Sequence, residues 1–167
     1  MSDRRGEQRV LHTFALKTPG DLFAKLKSDE DRLKADPTNS YAAFDFFVTA
    51  HALTYWVQNS PSGQKEKVIG KDEYEIQLLE VCSHLGNGAK HFELSVESHD
   101  TVHSTEATDG AFGAGVFNGA SFQTGQLLIH LEKEPASALG GPVVEVTGLA
   151  RKVVNFWQEK LKQMGLL

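Results

Sequence analysis

The chain has 167 residues, of which 40% are hydrophobic and 23% charged, and its formal net charge is -5 at pH 7. These values are typical of one globular domain, residues 1–167, and they exclude a disordered chain, a fibre and a repeat array. The longest apolar stretches fall far short of the ~20 residues that span a bilayer, so we expect no membrane partner, and a single cysteine, Cys82, fits a reducing cytoplasm.

Basic residues are concentrated toward the two ends of the chain, in residues 4–34 and 151–162. Between Asp100 and Thr147 the only basic side chain, histidines aside, is Lys133. If the terminal helices pack together they form a modest basic face; the alternative is two solvated helix surfaces. Because binding to long nucleic acid depends on phosphate neutralisation, we expect no DNA partner for this acidic chain.

The first elements are an N-terminal arm and a helix. Residues 1–17 begin polar and end in the apolar run 10–16, which is a docked arm or an edge strand. Thr18 is a good helix cap, and Pro19 suits the first helical position because its missing N–H has no intrahelical partner there. Apolar residues then recur at helical spacing, which predicts a helix over roughly 19–35.

The most hydrophobic helix is predicted over 40–58. Five residues lie on one stripe of it: Tyr41, Phe44, Val48, Ala52 and Tyr55. Phe47 and Trp56 lie beside this stripe, so more than one face is apolar. We therefore expect this to be the central core helix.

The rest of the chain predicts a third helix, a small β portion and a closing helix. The third helix covers roughly 71–90 and the closing helix roughly 149–164. Alternating or apolar runs predict antiparallel strands between residues 91 and 147, namely 91–97, 127–131 and 143–146, with turns over 135–142. Five glycines make residues 105–125 a Gly-rich loop or hairpin. The fold class is therefore α+β, mainly helical, with about four helices.

A polar stripe on the third helix is the strongest candidate for a functional site. Helical geometry places Glu80, His84, Asn87 and His91 within about 60° of one another. An acid, two imidazoles and a carboxamide are groups that bind ligands or transfer protons. Two alternatives stay open. The stripe serves capping and packing against the β portion, or the helix ends with Asn87 or Gly88 as a left-handed cap, which puts His91 in a strand.

The spacing Asn87-x-x-x-His91 resembles part of the R-N-x-x-x-H signature of the HEPN superfamily. Those domains are small, helical and usually dimeric, and many are metal-independent ribonucleases. The resemblance implies that His91 is the catalytic histidine and that Asn87 is the polar residue beside it. The arginine of the signature is replaced by Gly86, so Lys90 or His84 would have to supply the charge that orients the scissile phosphate.

Other motifs predict no cofactor and no metal. His99 and His103 are four residues apart, but their surroundings are typical of a loop, where this spacing carries little information. The glycines of 110–115 lack the Lys-Ser/Thr of a phosphate-binding loop.

Two functions are therefore compatible with the sequence. The first is a non-catalytic interaction or regulatory module that binds a protein partner or a second copy of itself. The second is a ribonuclease that binds RNA, with His91 as general acid or base, Asn87 orienting it and Lys90 or His84 stabilising phosphate charge. The acidic balance and the missing arginine favour the first.

Overall fold

The computed structural model describes residues 14–60, 70–88, 101–108 and 125–167. In these ranges the chain forms five helices and a three-stranded antiparallel sheet of order β1-β2-β3. The helices are α1 (Pro19–Ala35), α2 (Ser40–Gln58), α3 (Glu73–Gly88), α4 (Lys133–Leu139) and α5 (Val146–Gln163). The strands are β1 (Val102–Thr108), β2 (Gln126–Leu131) and β3 (Val143–Glu145). A mainly helical α+β fold is thereby confirmed.

Some predictions fall outside the described residues. These are most of the arm, the strand over 91–97, and residues 109–124 of the Gly-rich segment. Residues 105–108 of that segment lie in β1, which pairs with β2 from Thr108↔Gln126 to Val102↔Leu131.

The helix count is the main correction to the predicted fold, because α4 lies where turns were expected. Pro135 is the third residue of α4, a position whose N–H has no intrahelical acceptor, so it does not break the helix. Gly140 ends α4 with a φ of 102°, and its N–H donates to the carbonyl of Ala136. Val146, expected at the end of a strand, instead begins α5.

The surroundings of His103, expected to be a loop, form strand β1. Five of its seven residues are exposed, so the strand shows no buried-and-exposed alternation that a sequence pattern could reveal. β1 is held in place by backbone pairing with β2. The alternate residues Leu127, Ile129 and Leu131 of β2 are buried and connect the sheet to the core.

α1 begins as expected. The Thr18 side chain accepts a hydrogen bond from the Asp21 N–H, and Asp21 accepts from the Thr18 N–H, which together form a capping box. Hydrogen bonds from the Lys17 N–H and from Thr18 hold the pKa of Asp21 below its usual value. These bonds fix the start of the helix that packs against both α2 and α5.

Polar contacts, some of them centred on the buried Asp29, join α1 to α2. The carboxylate of Asp29, which is 3% exposed, accepts hydrogen bonds from Lys25 Nζ at 2.6 Å and from the Thr49 hydroxyl at 2.7 Å. Arg32 donates to Asp45 of α2 at 2.8 Å. The terminal helices α1 and α5 pack together, as the predicted basic face requires. On α1, however, the positive charges of Lys25 and Arg32 are paired with carboxylates.

The core lies where α5, α1, α2 and β2 meet. Its largest fully buried side chains include Trp157, Phe46, Leu26, Leu53 and Ile129. Phe156 and Trp157 make an edge-on ring contact at 5.1 Å between centroids. Cys82 of α3 is also buried, and burial raises the pKa of its thiol to about 12. None of the helices in the described residues is long and apolar enough to cross a membrane.

Candidate functional site

The predicted polar stripe lies on α3 as far as the described residues extend. Glu80 is exposed, and His84 and Asn87 are half-buried. Asn87 lies inside α3, so a left-handed cap at Asn87 is wrong. Gly88 is the last described residue of this segment, and a cap at Gly88 stays a prediction. His91 and Lys90, the other predicted site residues, lie outside the described residues.

The polar groups of this stripe make contacts within the protein. His84 Nδ1 lies 3.2 Å from the hydroxyl of Thr101, a buried residue immediately before β1. Asn87 Nδ2 donates to the Ser83 hydroxyl one turn earlier, at 3.3 Å. His84 thus connects α3 to the β portion, as the packing interpretation of the stripe expects.

Gly86 is buried where α3 crosses α2. A Cβ at this position would lie 2.5 Å from the His51 Cβ and 2.8 Å from the Phe47 carbonyl oxygen. A Cβ atom does not approach a non-bonded atom more closely than 3.0 Å, so the close crossing of α2 and α3 requires glycine at position 86. An arginine side chain, which the HEPN signature has here, does not fit this packing.

The chemistry available on α3 is that of an acidic helix. Its residues, Glu73–Gly88, contain three glutamates and neither lysine nor arginine. His84 contributes an imidazole, which can donate or accept a hydrogen bond. Phosphate recognition, however, needs a cation that α3 itself does not provide, and its glutamates repel anions.

A shallow groove of about 240 Å³ lies between the start of α3 and α5. Its polar groups largely serve the fold: Asp72 accepts the Glu75 N–H, Glu75 accepts the Lys71 N–H, and Lys152 donates to the Leu139 carbonyl. Tyr74 lines the groove, and burial, with a smaller contribution from Asp72, raises the pKa of its phenol. We assign no ligand to this groove.

Two histidine–glutamate pairs lie near the sheet. His103 is 3.2 Å from Glu132, and His130 is 3.3 Å from Glu106. Throughout the described ranges, no three His, Cys, Asp or Glu side chains come together in a way that could hold a metal ion.

The surface that sequence reasoning missed is one side of α2. Its aromatic side chains are largely exposed: Tyr41 is 83% exposed, Phe44 51% and Tyr55 67%. Val48 and Ala52, on the same stripe, are half-buried. We call these five residues the α2 aromatic face. The prediction that α2 is a core helix is correct only for its opposite side, which buries Phe46, Ala50 and Leu53 against its neighbours.

The reason for this exposure is visible in the packing of α2. Among the described elements, α2 has extensive contacts with α1 and α3 and few with α5, so these elements cover only part of its circumference. The signal in the sequence was the apolar character of more than one side of the helix. Nothing in the sequence pattern identified which side of α2 the other described elements leave uncovered.

The α2 aromatic face carries little charge. Asp45 is the only Asp, Glu, Lys or Arg in α2, and its carboxylate accepts a hydrogen bond from Arg32. Comparisons of the chain with protein-family models, with curated proteins and with solved structures found no match, so the geometry of these surfaces carries the functional argument.

Proposed function

We propose that this chain is a non-catalytic interaction module that binds a protein through the α2 aromatic face. The observation that carries the proposal is the exposure of Tyr41, Phe44 and Tyr55 along one side of a single helix. Large apolar side chains that are exposed singly are ordinary, whereas an apolar stripe, here three exposed rings with the half-buried Val48 and Ala52 between them, is typical of an interaction site.

The size of this row supports the proposal. With about 200 Å² for a whole aromatic side chain, the exposed fractions of the three rings amount to roughly 400 Å². That is within the ~300–600 Å² of the largest apolar patch on a typical monomer, which is often functional.

The composition of the face also matches an interface. Tyrosine and phenylalanine are enriched at protein interfaces, and charged residues are depleted from interface centres. Because the one carboxylate of α2 is paired with Arg32, a partner can cover the face without burying an unpaired charge.

Photo-cross-linking in cells of the source organism tests this function. A benzophenone amino acid replaces Tyr41, and in a matched control it replaces Lys162, an exposed residue of α5. We expect discrete protein adducts from position 41, and their loss when Tyr55→Glu is added to the same chain. Equal adducts from both positions, or adducts that persist with Tyr55→Glu, contradict the proposal.

The ribonuclease is a second candidate, which one observation favours. Glu80, His84 and Asn87 lie on one continuous helix, which keeps these three members of the predicted stripe together, whereas His91 and Lys90 lie outside the described residues. With Gly86 closed to any side chain, the cation for the phosphate would have to be Lys90 or come from another element. Cleavage of total RNA by the wild type and by His103→Ala, but not by His91→Ala, would establish this activity; no cleavage by the wild type would exclude it.

A further inference from the structure

We propose that the occupant of the α2 aromatic face is α2 of a second copy of this chain, packed antiparallel in a two-fold symmetric dimer. This inference rests on the proposed function and identifies its partner. It follows from the order of side chains along the face, from the charge of the helix and from the area that the face offers.

The order of side chains is nearly symmetric about Val48. Tyr41 and Tyr55 each lie seven residues from it, and Phe44 and Ala52 each lie four. A two-fold interface brings one patch against itself, so the patch must be self-complementary. An antiparallel pair centred on Val48 places Tyr41 level with Tyr55 of the partner subunit, about 10 Å from the centre at 1.5 Å per residue.

The same register matches large side chains with small ones. Phe44 comes level with Ala52 of the partner subunit, a pairing of a large and a small side chain that lets two helices approach closely. A parallel pair would instead place two copies of Phe44 at one height and leave two alanines together at another. The side-chain sizes therefore favour the antiparallel arrangement.

Charge favours the same arrangement. A parallel pair would bring the two copies of Asp45 to one height, and its aligned helix dipoles would repel each other. The antiparallel pair places the two Asp45 residues six positions apart along the helices, roughly 9 Å. Each carboxylate also keeps its own Arg32.

The area sets the strength of the dimer. Roughly 400 Å² of exposed aromatic surface on each protomer is about half of the ~800 Å² per partner in a standard interface. We therefore expect a reversible dimer that dissociates on dilution in the micromolar range or above, rather than an obligate one.

Sedimentation velocity on the full chain, between roughly 1 and 500 μM, measures this association. We expect the average mass to rise from 18.3 kDa toward twice that value. The rise should be lost in Tyr41→Glu and kept in Lys162→Glu, with unchanged far-ultraviolet circular dichroism in both variants. A mass that stays at 18.3 kDa at all concentrations overturns the dimer.

Variants with one introduced cysteine determine the orientation of the two α2 helices. Tyr41→Cys and Tyr55→Cys, oxidised as a mixture, should give a mixed disulfide dimer several-fold faster than either variant alone gives its own. The buried Cys82 is present in every sample and serves as the background. Faster self-linking of Tyr41→Cys would overturn the antiparallel register. A monomer that still yields heterologous adducts in the photo-cross-linking experiment would refute self-association and leave the proposed function intact.

Discussion

Replacement of Gly86 by alanine is the most direct test of the packing that excludes a side chain from this position. The added Cβ would lie 2.5 Å from the His51 Cβ and 2.8 Å from the Phe47 carbonyl oxygen, so α2 and α3 must separate. Overpacking of this kind costs about 1–3 kcal/mol, and the upper part of that range applies because the Phe47 carbonyl belongs to a helix backbone. Alanine returns up to ~1 kcal/mol through its higher helix propensity.

The expected net result is a loss of about 1–2 kcal/mol in the free energy of unfolding. For a chain of this length that lowers Tm by about 2–8 °C. The matched control is Gly148→Ala in α5. The atom nearest to the Cβ added there is the Glu145 Cβ, at 3.9 Å. With room for the methyl group, Gly148→Ala should raise the stability by about 0.5–1 kcal/mol.

Thermal and urea unfolding of the three proteins, followed by circular dichroism, measure both effects. A lower stability of Gly86→Ala and a higher stability of Gly148→Ala, both relative to the wild type, support the close crossing of α2 and α3. A Gly86→Ala protein as stable as Gly148→Ala would refute the close crossing. It would also show that position 86 can accommodate a side chain, as the ribonuclease signature requires for its arginine.

Two further predictions concern buried groups. Because burial raises the pKa of the Cys82 thiol from 9.0 to about 12, native protein at pH 8 should resist iodoacetamide and react only when unfolded. The thiol of the unfolded chain ionises above about pH 9 while the folded one stays protonated, so stability should fall as pH rises from about 9, and less so in Cys82→Ala; equal alkaline profiles would contradict this. Asp29→Ala should cost about 1–3 kcal/mol because the buried Asp29 carboxylate accepts a buried hydrogen bond from Thr49 and a partly buried one from Lys25. The side chain of Asp31 is 76% exposed, so Asp31→Ala should change the free energy of unfolding by less than ~0.5 kcal/mol. Equal urea midpoints for the two variants would refute the stabilising role of the Asp29 hydrogen bonds.

Local signals predicted much of the fold. Thr18 and Pro19 located the start of α1 because capping depends only on neighbouring residues. The helical spacing of apolar residues located α2 and α5, because this spacing is also a local property of the sequence. The helix α4 was missed because Pro135 and Gly140 are also turn residues, and only its packing against α3 distinguishes a short helix from a turn.

The surfaces were harder to predict than the elements. The apolar character of α2 was evident in the sequence, but which of its sides stays exposed depends on how α1 and α3 pack against it. The close crossing at Gly86 likewise depends on the packing of α2, whose backbone and His51 approach this glycine. Contacts between residues distant in the chain decided both cases, and a single sequence does not encode them as a local pattern.

A charge exchange across the α2 aromatic face tests the central claim most directly. Tyr41→Lys and Tyr55→Glu each place a charge opposite tyrosine in the antiparallel dimer, whereas the double variant places Lys opposite Glu at both ends of the interface. Sedimentation velocity at matched concentrations should therefore show weakened association in each single variant and restored association in the double variant. A double variant that associates no better than the single ones, in conditions where the wild type dimerises, would contradict the account.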